Sequence, residues 1–387
     1  MDARARLSLF GLFSSIILVA PAVAGDAAPP RVKFKKVSID NKFRSEGVAV
    51  ADFNGDGLVD VAAGSVYYAA PDWKIHAIDQ QPREYDPKAY SNSFCNFADD
   101  VNGDGWADLL VVDFPGQQTW WFENPKGSAG PWKRHVATPV TNNESPTYLD
   151  LDGDGRRELI FSDGNFQMAY AKSTNAEPWR LTPISEPKAP GTAKFSHGLG
   201  IGDVNGDGRN DVLVNQGWWE APAGTTGRLW TFHQADFGPA CAHMHVYDFD
   251  GDGDNDVLNS SAHAYGIWWH EQTEEGWQTH QIQRSFSQTH SLCLADINGD
   301  GLMDFVTGKR WWAHGGKDPG GDEPAVMFWF ELVRRDGRAS WIPHQFDHDS
   351  GIGTQFEVAD VNGDGLLDVA TANKKGVRLF LQEREVR

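Results

Sequence analysis

Seven times along this chain a short apolar run is interrupted by the same polar turn and then resumes. The segments before the turn ("GVAVAD", "GLGIGD", "SLCLAD", "FEVAD") and after it ("DVAAG", "DVLVN", "DVATA") are brief, β-branched and bounded by Gly and Asp. That pattern predicts strand, turn, strand, because branched side chains fit a pleated surface and Gly and Asp terminate it. The first Asp of each turn is spaced from the next by 48, 50, 53, 45, 48 and 64 residues, so the chain reads as a repeat array.

Each unit is long enough for four short strands. Strand A precedes the turn and strand B follows it. Strand C carries paired aromatics ("TWWFENP", "GWWEAP", "IWWHEQ", "MFWFEL", and "VYYAAP" in the first unit). Strand D repeats Trp-x-x-His, from Trp73 to His76, Trp132 to His135, Trp230 to His233, Trp277 to His280 and Trp341 to His344; Trp179 heads a variant without the His. Four-stranded units of this length arranged in a ring predict an all-β, seven-bladed β-propeller. The last unit stops after its third strand, "GVRLFLQ", and "VKFKKVSID" at 32–40 is predicted to complete it, which would remove the open edge. One propeller domain is expected over 32–387.

The turns crowd acids that repel one another unless a cation lies between them. Oxygen ligands at positions 1, 3 and 5, a Gly at 6 and an acid at 9 suit a hard cation taking six to eight oxygens, and Ca2+ is expected at up to one per blade. The candidate ligands are Asp52, Asn54, Asp56 and Asp60; Asp100, Asn102, Asp104 and Asp108; Asp150, Asp152, Asp154 and Glu158; Asp203, Asn205, Asp207 and Asp211; Asp248, Asp250, Asp252 and Asp256; Asp296, Asn298, Asp300 and Asp304; and Asp360, Asn362, Asp364 and Asp368. The third turn is the odd one, since Glu158 replaces the usual Asp. Strands rather than helices flank these turns, which excludes a helix-loop-helix site.

The net charge of −20 would suggest a basic partner, but 23 of the 54 Asp and Glu lie in these turns. No basic stripe or nucleic-acid motif is present, so nucleic acid is not expected as a partner. Residues 1–24 read as a secretory signal, with Arg4 and Arg6, an apolar run from Leu7 to Ala20 and small residues at Ala22-Val23-Ala24, followed by a linker at 25–31. A secreted or periplasmic protein with no membrane span in the mature chain is expected. Cys95, Cys241 and Cys293 do not make a disulfide framework and read as small buried hydrophobes.

Six of the thirteen His fall in repeating aromatic positions and read as packing. The other seven, His197, His243, His245, His263, His290, His314 and His348, lie on connections or strand starts predicted to share one face, opposite the acidic turns. Six residues upstream of each turn's first Asp the chain presents Glu46, Phe94, Glu144, His197, Ala242, His290 and Thr354, with His243 beside the fifth. Strand A is expected innermost, so this is an axial ring whose composition suits Zn2+ or another divalent metal, or acid-base chemistry on a sugar. The long insert "TGKRWWAHGGKDPGGDEPAVMFWF" adds Arg310, expected to clamp a carboxylate, the Trp311 and Trp312 pair as a stacking surface, and His314. The catalytic candidates are His197, His243, His290, Glu144, Arg310 and His314. No nucleophile elbow, phosphate loop or HExxH motif is present.

The units "VADVNGDGLLDVATA" and "IGDVNGDGRNDVLVN" resemble the FG-GAP, or VCBS, repeats of integrin α-subunit propellers and many secreted bacterial proteins. The resemblance implies the fold and the calcium turns. Similar propellers serve in adhesion, as scaffolds in polysaccharide lyases and as part of aldos-2-ulose dehydratases. The usual Phe-Gly opening of strand A is replaced by Ser196-His197-Gly198 and Thr289-His290-Ser291, which directs attention to the strand starts. The first expectation is therefore binding of a carbohydrate or sugar acid at the axial face, with lyase or dehydratase chemistry. The alternative is a non-catalytic adhesion or protein-interaction module.

Overall fold

The computed structural model describes residues 31–174, 177–224, 227–241 and 243–385. The signal segment and nearly all of the linker, as well as ring position Ala242, lie outside the described residues. Among those described there are 28 strands and a single short 3-10 turn at Ala313–Gly316. Among the described residues no helix is long and apolar enough to cross a membrane. The architecture is an all-β propeller.

The seven strands that follow the acidic turns, such as Asp108–Val112 and Asp304–Gly308, are buried along their whole length. Their unbroken β-branched runs are thereby explained, since both faces of these strands are covered by neighbouring sheets. The sharp turn that precedes each strand needs left-handed backbone at positions 4 and 6. Gly supplies it, as at Gly55 (φ 75°) and Gly57 (φ 85°).

Five sheets have four strands in antiparallel order, and a sixth has eight. The expected seven separate four-stranded blades are thus not what is found. In the eight-stranded sheet two four-strand runs are joined where Gly200–Gly202 pairs in parallel with Met244–Tyr247, through Gly200↔Met244 and Ile201↔His245. The cause is local. A Cβ on Gly200 would lie 2.6 Å from the Met244 Cβ, and one on Gly202 would lie 2.5 Å from the Val246 Cβ. Without side chains there, two innermost strands approach closely enough to hydrogen-bond.

The N-terminal strand Arg31–Asp40 pairs antiparallel with Gly376–Glu385 over nearly its whole length, so the ends of the described chain close one sheet. The outer two strands of the sheets are joined by aromatic packing. The motif His of strand D stacks on an aromatic of strand C, with ring centroids 4.2 Å apart for Trp121 and His135, 4.2 Å for Trp218 and His233, and 4.2 Å for Trp329 and His344. Each of these rings is held by a Glu, His135 by Glu123 at 2.9 Å, His233 by Glu220 at 2.7 Å and His344 by Glu331 at 2.8 Å. The packing role expected of the repeated histidines is what the structure contains.

Candidate functional site

The acidic turns are built alike. In the first, Asp52 accepts from Gly55 N at 2.7 Å and Gly57 N at 2.8 Å, Asn54 from Asp56 N at 2.9 Å, and Asp56 from Leu58 N at 2.9 Å. The acid at position 9 turns inward. Asp60 accepts from Phe53 N at 3.0 Å and Ala70 N at 2.9 Å, tying the turn to the end of strand C. The same tie recurs at Asp108, Asp211, Asp256, Asp304 and Asp368. Burial raises these carboxyls, Asp60 to about 6 and Asp304 to about 7, against the lowering effect of the backbone donors.

The third turn differs in substance. Lys172 Nζ lies 2.7 Å from Asp152, 2.6 Å from Asp154 and 3.0 Å from Glu158, an ammonium bridging three acids of one turn, whereas Lys126 in the second turn, at 3.3 Å from Asp104, and Arg209 in the fourth, on Asp207, each pair with one acid. Leu159 pairs with Ala171, and Lys172 follows it. In the corresponding register Phe122, Trp219, His270 and Phe330 are followed by Glu123, Glu220, Glu271 and Glu331. The longer Glu158 side chain reaches the ammonium while still accepting from Leu151 N at 2.8 Å.

Innermost strands line a cavity of about 180 Å³ whose walls include Phe97, Leu149, Ile201, His245, Cys293 and Glu357. The ring lies at the starts of these strands. Glu46, Phe94, Glu144, His197, His290 and Thr354 come together there, as the spacing predicts: Thr354 Oγ1 donates to Glu46 O at 3.1 Å, and His290 Nε2 lies 3.2 Å from Glu144 Oε2. His197 Nε2 is 3.0 Å from His290 Nε2, 3.0 Å from His263 Nε2 and 3.4 Å from Glu144 Oε2. His290 is fully buried.

From His263 the contacts lead outward to Asp318 and His314. Asp318 accepts from His263 Nδ1 at 3.0 Å, His314 Nδ1 at 3.0 Å and Gln288 Nε2 at 3.1 Å. His314 stacks on His263 with centroids 4.5 Å apart. It sits in left-handed backbone, φ 48°, a conformation that costs a non-Gly residue about 1–3 kcal/mol and is held here by His314 N donating to Tyr90 Oη at 2.9 Å. Burial would raise the Glu144 carboxyl, but bonds from His197 and His290 and the Arg310 charge hold it well below the usual range. Burial pushes His263 down to about 4 and His243 down to about 3.

The remaining candidates fall elsewhere. Arg310 is not free to clamp a ligand, because its guanidinium is buried between Glu46 and Glu144, with Nη1 3.2 Å from Glu144 Oε2 and Nη2 on Glu46. It sits two residues past the end of the strand Asp304–Gly308, bridged to Ile352, and turns inward onto the two ring acids. His243 bonds Ser291 Oγ at 3.1 Å and lines the cavity with His245, apart from the imidazole cluster. His348 is exposed. Tyr265 donates to Glu323 at 2.6 Å. Cys95, Cys241 and Cys293 are free thiols. The sequence signal for His263 and Asp318 was weak: each sits on a connection, with no spacing that ties it to the ring.

A lysine and aromatic rim borders the cluster. Lys374 Nζ lies 4.3 Å from the Tyr90 ring centroid and donates to Trp312 O at 3.2 Å; among the described residues it has no carboxylate partner. Lys375 lies over Trp311 and Lys194 over Phe195.

The FG-GAP-like repeat family model matches residues 100–161 and 248–307. No curated protein matches the chain. Among solved structures the chain is similar to BBS1N in complex with ARL6DN (TM-score 0.51, 9% identity, covering 91% of this chain and 96% of that one). It is also similar to an Agrocybe aegerita lectin that recognises non-reducing terminal N-acetylglucosamine (TM-score 0.49, 14% identity, 91% and 86% covered) and to the exotype rhamnogalacturonan lyase YesX (0.46, 13%, 91% and 74%). At 9% identity the first likeness is one of fold. The chain carries FG-GAP-like repeats on an all-β propeller.

Proposed function

We propose that this chain is an exported, calcium-stabilised propeller, its eight-stranded sheet serving as two of seven blades, whose axial face binds a sugar acid and acts on it as a lyase or dehydratase. The observation that carries the reading is the dyad at the mouth of the imidazole cluster. Asp318 holds His314 through Nδ1, and the ring, half exposed, keeps Nε2 out of that bond. That is the arrangement of an oriented general base.

In the proposed reaction His314 Nε2 takes the proton from the carbon next to the substrate carboxylate. The electrons of that C–H bond form the double bond, the C–O bond on the neighbouring carbon breaks with its electrons leaving on oxygen, and that oxygen takes the proton held by His314, releasing water or an alcohol and restoring the neutral imidazole. Arg310 is already engaged by two carboxylates, so the substrate carboxylate is assigned instead to Lys374, which among the described residues has no carboxylate partner and lies against Tyr90 and Trp312, next to His314. Trp311 and Tyr90 supply faces on which a sugar ring stacks.

A panel of uronic acids and their oligomers tests this by ultraviolet absorbance of the new conjugated double bond. His314→Ala is expected to lower the rate by about 10²–10⁴-fold with binding retained. Lys374→Met is expected to weaken binding of an acid but not of its methyl ester. A wild-type protein that neither binds nor alters any acidic sugar would overturn the reading in favour of an interaction module.

A further inference from the structure

We infer that the axial cluster is a mononuclear site for a divalent transition metal, held by His197 Nε2, His263 Nε2, His290 Nε2 and Glu144 Oε2. Its use in catalysis rests on the function proposed above; its ligand set rests on geometry alone.

The first argument counts hydrogens. Four short axes meet in the cluster: His197 to His290 at 3.0 Å, His197 to His263 at 3.0 Å, His290 to Glu144 at 3.2 Å and His197 to Glu144 at 3.4 Å. A ring nitrogen of neutral imidazole carries either one hydrogen or one lone pair. His263 donates from Nδ1 to Asp318, so its Nε2 presents a lone pair. His197 and His290 therefore supply at most two hydrogens for four axes, so every assignment leaves at least one contact with lone pair against lone pair or hydrogen against hydrogen, and the remaining contacts must share hydrogens. Adding protons would charge rings that are buried, His290 completely. A cation among the four atoms satisfies all of them at once.

The second argument is spacing. Four ligands about 2.1 Å from a tetrahedral zinc sit roughly 3.4 Å from one another. The separations of 3.0, 3.0, 3.2 and 3.4 Å lie at or within a few tenths of an ångström below that edge. All three His atoms lie within 4.8 Å of one another.

The third is the surroundings. The carboxylate of Asp318 behind His263 fixes that ring's tautomer and orientation, as outer carboxylates do for metal-bound imidazoles. Glu46, Glu144 and Asp318 against Arg310 leave the hydrogen-bonded set with two uncompensated negative charges, which a divalent ion neutralises. Three imidazoles and one carboxylate favour Zn2+ or Co2+ over Ca2+, which takes oxygen.

Chelator-stripped mature protein titrated with Co2+ in millimolar Ca2+ tests the assignment. One equivalent is expected, with the visible absorption of nitrogen-ligated Co2+, displaced by Zn2+ and untouched by Ca2+. His263→Gln and Glu144→Gln should each weaken Co2+ by at least about tenfold, and Asp318→Asn by about 10–100-fold with the stoichiometry kept. His233→Gln, remote and stacked on Trp218, should change nothing. Thermal melting establishes that each variant is folded; because His197 and His290 are the most buried ligands, the more exposed His263 serves as the primary variant. Wild-type protein that takes up no Co2+, or folded variants that bind it as tightly as wild type, overturns the assignment. Co2+ binding without sugar-acid binding would leave the metal site standing and remove the proposed function; the converse would remove the metal site alone.

Discussion

A single side chain in this protein takes its chemistry from the element that carries it. His135, His233 and His344 sit where a Trp face and a Glu oxygen meet them, and they pack. His314 differs in being carried by an insert and held by one Asp on one nitrogen. Glu357, on an innermost strand, faces the axial cavity, and burial raises its carboxyl from the ordinary 4.5 to about 7, against lowering by Arg157 and Gln355. A carboxyl raised in the folded state binds protons there that the unfolded chain has lost, so its contribution falls as pH rises from 4.5 towards 7. Glu357→Gln is therefore expected to flatten the dependence of melting temperature on pH across that window and to raise the melting temperature above it. Calorimetric scans of both proteins check this, and equal slopes would exclude Glu357 as the source.

At the scale of the element, the repeated turn is legible in the sequence to the residue, because its Gly and Asp positions are local requirements of one backbone path. What the repeat unit alone does not disclose is that position 9 looks inward, tying each turn to strand C through backbone N–H groups. The third turn shows the same limit. Glu158 marks it as unusual, but Lys172 stands 14 positions later and reaches the turn only across the strand pair Glu158↔Lys172. Its ammonium takes the place proposed for calcium in the other turns. Lys172→Met is expected to raise the calcium stoichiometry by one, read by equilibrium dialysis and metal analysis. The ammonium is partly exposed, and such pairs are worth about 0–1 kcal/mol each, so calcium-free melting should fall by only a few degrees. An unchanged stoichiometry would show that the third turn is not blocked by its lysine.

Closure belongs to the whole molecule. The strand Arg31–Asp40 covers the last edge through a register that runs from Arg31↔Glu385 to Asp40↔Val377. A chain beginning at Lys42 would expose the Gly376–Glu385 edge, with Val377, Leu379 and Phe380 partly uncovered behind it. Such a truncation should unfold at lower temperature and associate at concentrations where the full chain is monodisperse, as light scattering would report. The joined eight-stranded sheet is the feature of this scale that the repeats did not disclose: Gly200 and Gly202 are ordinary in a strand start, and only the approach of Met244 and Val246 gives their missing Cβ atoms a purpose. The sequence by itself determined the strands, the turns, the aromatic packing and the ring positions, since each follows from local backbone and side-chain preferences repeated at one spacing. The partners of Arg310, the meeting of His263 and Asp318 with the ring, and the lysine in the third turn were decided by tertiary structure, because those contacts join residues whose distance along the chain carries no information about their distance in space.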